Sequence, residues 1–253
     1  MLAAALAAGF VWLLQGPWLR VGSVAWSGAR YTSGEQVEAI LAPLRGSSLL
    51  TLDDAAVAAR LTSLPAVSSA RVEPTLPGGI SVAIEEKAPT LVWQTSAVRL
   101  LVANDGVVFG DLSLSTPLPA ALARLPFVDD QRGSSLDFFI GDRIPDAERS
   151  IALRLAAINP LMLGSTAKGL RVRLDDQCGY VISPTSGANW SAAIGLSGMD
   201  PNSAAMAAGI DARVAAVRTL FATHPERGIR WVDARNPGKV YWRPNGPGGS
   251  DAC

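Results

Sequence analysis

Few side chains in this sequence have the chemistry of a catalytic group. The chain has one histidine, His224, in the stretch FATHPERG just after an expected helix. A contact with the last carbonyl groups of that helix, or with the negative end of its dipole, accounts for a histidine in this position. The acidic pairs Asp129-Asp130 and Asp175-Asp176 are typical of solvated turns, and no partner ligands for a metal ion accompany them. We therefore expect no catalytic residue and no metal site.

Sequence motifs that build an active site are also missing. The chain contains no G-x-S-x-G, P-loop, G-x-G-x-x-G or H-E-x-x-H stretch, so it lacks the spacing of a nucleophile elbow or a phosphate cradle. Its two cysteines, Cys178 and Cys253, could form a disulfide in an oxidising compartment. Cys253 ends a Gly/Ser/Pro-rich tail, residues 246–253, and this favours a buried Cys178 with an unpaired terminal thiol. The sequence predicts a protein that is not an enzyme and needs no cofactor, with an enzyme of unrecognised site as the alternative.

The composition indicates a folded protein that does not bind nucleic acid. Hydrophobic residues make up 49% and charged residues 17% of the 253 residues. This is enough apolar sequence for a sizeable core, and the length suits two modest domains. The 22 basic and 22 acidic residues cancel, so the chain lacks the excess positive charge that binds phosphates. We expect neither a nucleic-acid partner nor a small-molecule substrate.

The N-terminus gives the first indication of function. Residues 1–14, MLAAALAAGFVWLL, form an unbroken apolar run. As a helix this run would span about 21 Å, which is less than the hydrocarbon core of about 30 Å, so either the start of the gene is clipped or flanking residues help the helix to cross a membrane. We expect residues 1–19 to be a retained anchor with Trp12 and Trp18 at the interface. A cleaved signal peptide is the alternative, although the basic segment that normally begins one is missing.

The next segment, residues 20–88, has the pattern of a small α+β domain. The stretch VGSVAWSG predicts a strand that ends at Gly28. Two helices should follow, the first capped by Thr32 or Ser33 and the second by Asp53. Apolar residues at helical spacing mark their buried sides: Val37, Ile40, Leu41 and Leu44, then Val57, Leu61 and Leu64.

Residues 70–85 should form a hairpin, because apolar residues alternate with polar or small ones on both sides of the turn sequence PTLPGG. The apolar set is Ala70, Val72, Ile80, Val82 and Ile84. The order strand, helix, helix, strand, strand predicts a sheet with helices on one face and a comparatively polar second face. Its exposed edge could accept a strand from another chain, a binding function that needs no reactive side chain.

A known family matches this pattern. The string VAWSG…TSGEQVEAIL…GSSLLTLDDAAVAARLTSLPAVSSARVEPTLPGGISVAIEEKAPTLVW resembles the POTRA module of the FtsQ/DivIB family of bacterial cell-division proteins. The features that match in order are the strand ending at Gly28, the stretch GSSLLTLD, the stretch LPAVSSARV and the stretch EEKAP. POTRA modules also occur in outer-membrane assembly and secretion proteins, usually as several in tandem before a barrel.

Residues 89–245 continue with a predominantly β pattern. Asp105-Gly106 should be a two-residue hairpin turn, a short strand should lie near residues 126–128, and a helix should begin near Ile144. Three strands are expected in GLRVRLDD, GYVIS and NWSAAIG. A longer helix should follow, with one face formed by Met206, Ile210, Val214, Val217 and Phe221. The stretches IRWVDAR and KVYWRP should be two closing strands around the turn Asn236-Pro237-Gly238.

The resemblance implies where partners bind the second module. In the FtsQ/DivIB family the last strand region of the β domain recruits the bitopic coiled-coil proteins FtsB/DivIC and FtsL, commonly by pairing a partner strand with the sheet edge. The residues of this region are Lys239, Val240, Tyr241, Trp242 and Arg243. Alternation places Val240 and Trp242 on one face and Tyr241 on the other. The alternative is that Tyr241 and Trp242 only close the core.

The resemblance also implies contacts of the POTRA module with another membrane component of the division machinery. The polar residues of its last strands are Arg71, Glu73, Glu85, Glu86 and Lys87. A solvated face that binds no partner is the alternative.

Together these features predict an α+β protein with a membrane anchor at 1–19, a POTRA domain at 20–88, a β domain at 89–245 and a flexible tail at 246–253. The family implies a non-catalytic scaffold that links division proteins. It also implies a single pass through the inner (cytoplasmic) membrane at the division septum, with most of the chain extracytoplasmic. A POTRA component of outer-membrane assembly or secretion is the alternative function.

Overall fold

The computed structural model describes residues 17–196 and 203–246. Residues 1–16 of the expected anchor lie outside the described residues, and Pro17–Leu19 form one 3₁₀ turn. Within the described ranges, no helix is both long and apolar enough to cross a membrane. The chain divides between Ala88 and Pro89 into two compact units.

The first unit has the element order that the sequence predicts for a POTRA module. Its elements are β1 (Ser23–Ser27), α1 (Gly34–Leu41), α2 (Asp54–Thr62), β2 (Val67–Thr75) and β3 (Gly79–Glu86). The strands form one sheet in the order β1-β3-β2, with β1 parallel and β2 antiparallel to the central β3. Short 3₁₀ turns at Ala42–Leu44 and Leu49–Thr51 connect the helices.

Local sequence signals explain the helix starts of this unit. The Ser33 hydroxyl accepts from the Gln36 amide at 3.2 Å, and the Gln36 side chain accepts from the Ser33 amide at 3.1 Å, so the first helix begins with a complete capping box. Asp53 caps the second helix by accepting from the Ala56 amide at 2.8 Å. Exchanging such a cap for alanine typically costs about 1 kcal/mol.

The core of the first unit lies between the helices and one face of the sheet. Helix residues contact the apolar side of the hairpin, which confirms the predicted alternation; the central buried set is Val37, Leu41, Val57, Leu61, Val72, Ile80, Val82 and Ile84. The opposite face carries exposed polar residues. Gly28 ends β1 with φ +95°, and a Cβ there would lie 1.9 Å from the Ile84 carbonyl oxygen, so only glycine fits this close approach.

The second unit is built on one large mixed sheet of nine strands. Its strands are β4 (Pro89–Gln94), β5 (Val98–Ala103), β6 (Val108–Ser113), β7 (Phe127–Asp130), β8 (Leu170–Asp175), β9 (Gly179–Pro184), β10 (Ser191–Gly195), β11 (Ile229–Asp233) and β12 (Tyr241–Pro244). Their order across the sheet is β12-β11-β10-β9-β8-β7-β4-β5-β6. The pairs β4–β7, β7–β8 and β10–β11 are parallel and the others antiparallel.

Two helices, α3 (Asp146–Ala156) and α4 (Ser203–Thr223), contribute to the main core with one face of the large sheet. Ile151 and Leu155 of α3 and Ile210, Val214, Val217 and Phe221 of α4 are buried, as the helical spacing predicts. Met206, the remaining residue of the predicted α4 face, has a side chain outside the described part of the structure.

A hydrogen-bonded network of polar side chains links the middle strands of the large sheet to α3. Asp130, at the end of β7, is fully buried and accepts from Trp93 Nε1 at 2.9 Å. The Arg132 guanidinium donates to Asp130 at 2.8 and 2.9 Å and to Glu148 on α3 at 2.8 and 2.9 Å. The Tyr180 hydroxyl donates to the Glu148 carbonyl at 2.9 Å. This network joins three strands (β4, β7 and β9) and a helix with every charge paired, as a buried charge requires. The sequence reading of Asp130 as part of a solvated turn is therefore wrong.

Two further sequence predictions need correction. The hairpin between β5 and β6 has three residues, Asn104 to Gly106, between the hydrogen-bonded Ala103 and Val107, and not a two-residue turn. Cys178 is buried as expected, but it is disulfide-bonded and not a free thiol; Cys253 lies outside the described residues.

Candidate partner-binding site

The predicted partner-binding stretch forms the end of the large sheet. β12 pairs antiparallel with β11, with Tyr241 opposite Asp233 and Trp242 opposite Val232. The turn between them is held by Asn236, whose carbonyl accepts from the Lys239 amide at 3.0 Å and whose side chain accepts from the Gly238 amide at 3.1 Å. Because the strand begins at Tyr241, Lys239 and Val240 belong to the connection that precedes it.

Both ends of this strand pair are fixed by polar contacts. At the turn end, Arg235 donates to both carboxylate oxygens of Asp233, at 2.9 and 2.6 Å. These hydrogen bonds are the main reason that the pKa of Asp233 lies below its ordinary value. At the other end, the Asn245 amide donates to the Gly228 carbonyl at 2.9 Å, and its side chain donates to the Arg227 carbonyl at 3.2 Å. The geometry of β12 is therefore set within the unit.

A second carboxylate positions β11. Glu226, in the 3₁₀ turn just before β11, accepts from the Thr166 amide at 2.8 Å, from Trp190 Nε1 at 2.9 Å, and from the hydroxyls of Ser165 and Thr166. Desolvation raises the pKa of Glu226, but these hydrogen bonds outweigh it, and the pKa lies below its ordinary value. The carboxylate thus holds the start of β11 against the buried Trp190.

The two faces of the last strand differ. Val240 packs against the main core, and the Trp242 ring lies against His224, with ring centroids 4.7 Å apart. Trp242 keeps 38% of its surface exposed, and Tyr241 keeps 65%. Tyr241 therefore does not close the core, whereas Trp242 covers the end of α4 and remains accessible.

The strand has the geometry that strand addition requires. In the described part of the chain β12 occupies the end of the strand order, with a neighbour on one side. The outer side of an edge strand presents backbone N–H and C=O groups at the spacing of a further strand. Tyrosine and tryptophan are common anchors in protein interfaces, so Tyr241 and Trp242 offer side-chain contacts on the two faces of such an added strand.

The polar residues expected to bind a partner in the first unit differ in their surroundings: some lie on the exposed face of the sheet, and others make contacts that hold the unit together. Arg71 and Glu73 are exposed on β2, with 3.9 Å between their charged groups, and Glu85 on β3 accepts from the Ser69 hydroxyl at 2.7 Å. These side chains share the face without helices. The Lys87 amide donates to the Ala66 carbonyl at 2.7 Å and so joins the end of the sheet to the start of β2.

Glu86 has a contact within the first unit. Its carboxylate accepts from the backbone amides of Arg30, Tyr31 and Thr32 at 2.7 to 2.9 Å. Desolvation raises the pKa of Glu86, but the backbone hydrogen bonds outweigh it and lower the pKa below its ordinary value. Glu86 thus fixes the loop between β1 and α1.

The sequence alone does not indicate most of the residues that hold the edge strand β12 in place. Arg235 follows Asp233 by two positions, and this short spacing could have indicated the ion pair. Glu226 and Trp190 are 36 residues apart in the chain, and no local pattern links them. His224 was assigned to the helix end, where its amide does donate to the Leu220 carbonyl at 2.8 Å, but its ring contact with Trp242 could not be foreseen. Within the ranges described, no group of three or more His, Cys, Asp or Glu residues could hold a metal ion.

Comparisons with known proteins identify the family of this chain. Residues 19–87 match the family described as "POTRA domain, FtsQ-type". Cell division protein FtsQ of Streptomyces coelicolor is 31% identical over 188 residues, which cover 73% of this chain and 69% of the relative. The proteins of the same name from Chloroflexus aurantiacus and Mycobacteroides abscessus are 31% identical over 145 residues and 29% identical over 136 residues. These matches cover 57% and 54% of this chain and 50% and 44% of the two relatives.

The similarity therefore extends well beyond the POTRA module, over most of this chain and more than two thirds of the Streptomyces coelicolor protein. The element order of the first unit fits the POTRA module that the sequence resembles. The chain belongs to the FtsQ/DivIB family of bacterial cell-division proteins.

Proposed function

We propose that this protein is a non-catalytic scaffold of the division machinery, which recruits and links other division proteins at the septum. The observation that carries the proposal is the fixed edge strand β12 with its exposed Tyr241. The proposed partners are small bitopic proteins of the FtsB/DivIC and FtsL type. Each would contribute an extended segment that pairs with β12.

The size of this edge limits the strength of one contact. β12 has four residues, which offer an added strand about two backbone hydrogen bonds, each worth about 1 kcal/mol net. Side-chain contacts with Tyr241 and Trp242 would add to this. Membrane anchoring of both proteins would raise their effective concentration, so that several weak contacts act together. We propose that Arg71, Glu73, Glu85 and Lys87 of the POTRA module also contact a membrane-anchored division protein. Each of these contacts would be weak by itself and would add to the others.

The apolar N-terminal run supports a membrane anchor, with both units on the extracytoplasmic side. The alternative of a POTRA component in outer-membrane assembly or secretion has no specific support, since the relatives described above carry the name of a cell-division protein.

In-cell photo-crosslinking tests the proposal. A photoreactive amino acid at Tyr241 should capture a small bitopic division protein, identified by mass spectrometry. The matched control is the same probe at Asp111, an exposed residue of β6 at the opposite end of the large sheet. Capture of an outer-membrane or secreted chain would support the transport function, and equal capture from both positions would refute a specific docking edge.

A further inference from the structure

The chain enters the first unit between two loops that hold it by backbone hydrogen bonds. On one side, the Val21 amide donates to the Ser47 carbonyl at 2.9 Å, and the Gly46 amide donates to the Val21 carbonyl at 2.8 Å. On the other side, the Gly22 amide donates to the Gly78 carbonyl at 2.8 Å. Residues 20–22 are thus fixed to the tip of the β2–β3 hairpin and to the loop before α2.

The contact with the hairpin tip depends on a glycine. Gly78 has φ +69°, and a Cβ at this position would lie 2.8 Å from the Arg20 carbonyl oxygen. Such a distance leaves no room for a side chain. The tip can therefore lie directly against the chain that leads in from the N-terminus.

Exposed apolar side chains concentrate at this end of the unit. The described part of the first unit has four exposed large apolar side chains: Trp18 (36%), Trp26 (37%), Leu50 (57%) and Leu76 (76%). Leu76 is two residues from Gly78, and Leu50 is two residues from Ser48, which forms a bridge with Arg20. Single exposed apolar residues need no explanation, but three of the four flank the point where the chain enters.

The distance along the chain places this end near the apolar run. Leu14 ends that run, and Trp18 follows four residues later. Four extended residues reach at most about 14 Å. The headgroup region on each side of a bilayer is about 5–8 Å thick. If the run is in a membrane, Trp18 and the two loops beside it lie in or next to the headgroup region.

We propose that Trp18, Arg20, Leu50 and Leu76, which we call the N-terminal face, contact the surface of the lipid bilayer. Tryptophan and leucine side chains suit the interface between headgroups and acyl chains, and the exposed Arg20 suits anionic headgroups. This contact points the Leu76 end of the hairpin toward the membrane and the Glu86 end away from it. The inference rests on the membrane anchor of the proposed function.

Fluorescence of the full-length chain in lipid vesicles tests this face. An environment-sensitive fluorescent amino acid is placed at Leu76, which follows the last residue of β2, and, as a matched control, at Ser69, an exposed residue of β2 about 20 Å away along the chain direction. The vesicles contain phosphatidylcholine and phosphatidylglycerol with a lipid-bound quencher. Circular dichroism checks that both variants fold. Quenching at position 76 should exceed quenching at position 69 several-fold.

The experiment distinguishes a failure of the proposed membrane contact from a failure of the membrane anchor. Protein that floats with the vesicles but shows equal quenching at both positions has an anchor and no membrane-bound face, which overturns the inference. Protein that does not float with the vesicles overturns the anchor as well.

The charge contribution is tested with Arg20→Glu, which should reduce quenching at position 76 in anionic vesicles and have little effect in pure phosphatidylcholine. Arg71→Glu, at the exposed middle of β2, is the control and should change neither. A reduction of equal size in both kinds of vesicle would overturn the role of Arg20.

Discussion

The centre and the outer edge of the large sheet use charged and aromatic residues in opposite ways. At the centre, Asp130 is fully buried and receives hydrogen bonds from Trp93 and Arg132. At the edge, every residue of β12 is exposed; the Tyr241 side chain is mostly exposed and the Trp242 ring is partly exposed. The same residue types that stabilise the fold at the centre are left accessible at the edge.

This difference is what a separation of stability from the proposed binding would require. At the centre, Asp130, Arg132 and Glu148 are paired within the unit, and none of these contacts involves β12. The edge can then keep hydrogen-bonding capacity for another chain, and its side chains can change with little effect on folding. Mutations should therefore fall into two classes, and the following five predictions test this, beginning with the largest expected loss of stability.

Arg132→Ala should have the largest effect. It leaves Asp130 buried without its guanidinium partner and also removes the contact with Glu148. Breaking a buried ion pair from one side typically costs about 3–5 kcal/mol, which urea unfolding of the protein would measure. The control is Arg171→Ala on β8, an exposed arginine, which should change stability by less than about 0.5 kcal/mol. Similar losses of stability for both variants would show that the buried ion pair contributes no more than an exposed arginine.

Glu226→Ala should have the next largest effect, because it removes the acceptor that joins β11 to Thr166 and Trp190. Hydrogen bonds to a charged group contribute about 1.5–3 kcal/mol, and partial exposure places the expected loss near the lower value. The pKa of Glu226 is lower in the folded than in the unfolded protein. Its stabilisation is therefore present above the ordinary glutamate pKa and is lost as the pH falls through the folded value.

Glu226→Gln should remove this part of the pH dependence. Urea unfolding from pH 7 down to pH 3 would then show a shallower loss of stability for the variant than for the natural protein. Parallel curves for the two proteins would contradict a stabilising carboxylate at this position.

Trp242→Ala should cost less, because the ring is partly exposed. It loses the packing against His224, and an aromatic pair contributes about 0.5–1.5 kcal/mol. His224→Ala should cost a similar amount, and the double variant should cost less than the sum of the two if the rings interact. Additive losses in that double-mutant cycle would show that the contact contributes nothing.

Tyr241→Ala should have the smallest effect on stability, less than about 0.5 kcal/mol, because its side chain is mostly exposed. It should nevertheless reduce capture of the division partner, measured with a photoreactive probe at Arg243. Loss of capture with unchanged unfolding would separate binding from folding at the edge. Unchanged capture would remove Tyr241 from the docking site.

Much of the local structure follows from sequence periodicity. The alternation around Val72 and Val82 predicted the hairpin, the cap at Ser33 predicted α1, and the apolar spacing through Val214 and Val217 predicted α4. The last strand and its turn were also predicted, although β12 begins two residues later than Lys239. These features depend on neighbouring residues, which the sequence displays directly.

The contacts between distant residues were beyond sequence reasoning. Glu86 bonds to amides more than 50 positions earlier in the chain, and Arg132 reaches Glu148 on another element. The parallel neighbours β10 and β11 are separated by the whole of α4. Such pairs form because the folded chain brings them together, and periodicity carries no information about them.

The position of β12 also has a consequence for biogenesis. It is the last of the described strands in the chain and the outermost in its row, and it pairs with β11, which pairs in turn with β10. The outer edge of β12 therefore forms only where β11 is already paired with it. A partner that docks there, as proposed, would bind molecules in which this end of the sheet is folded. Capture at this edge would then also report the folding of β10, β11 and β12.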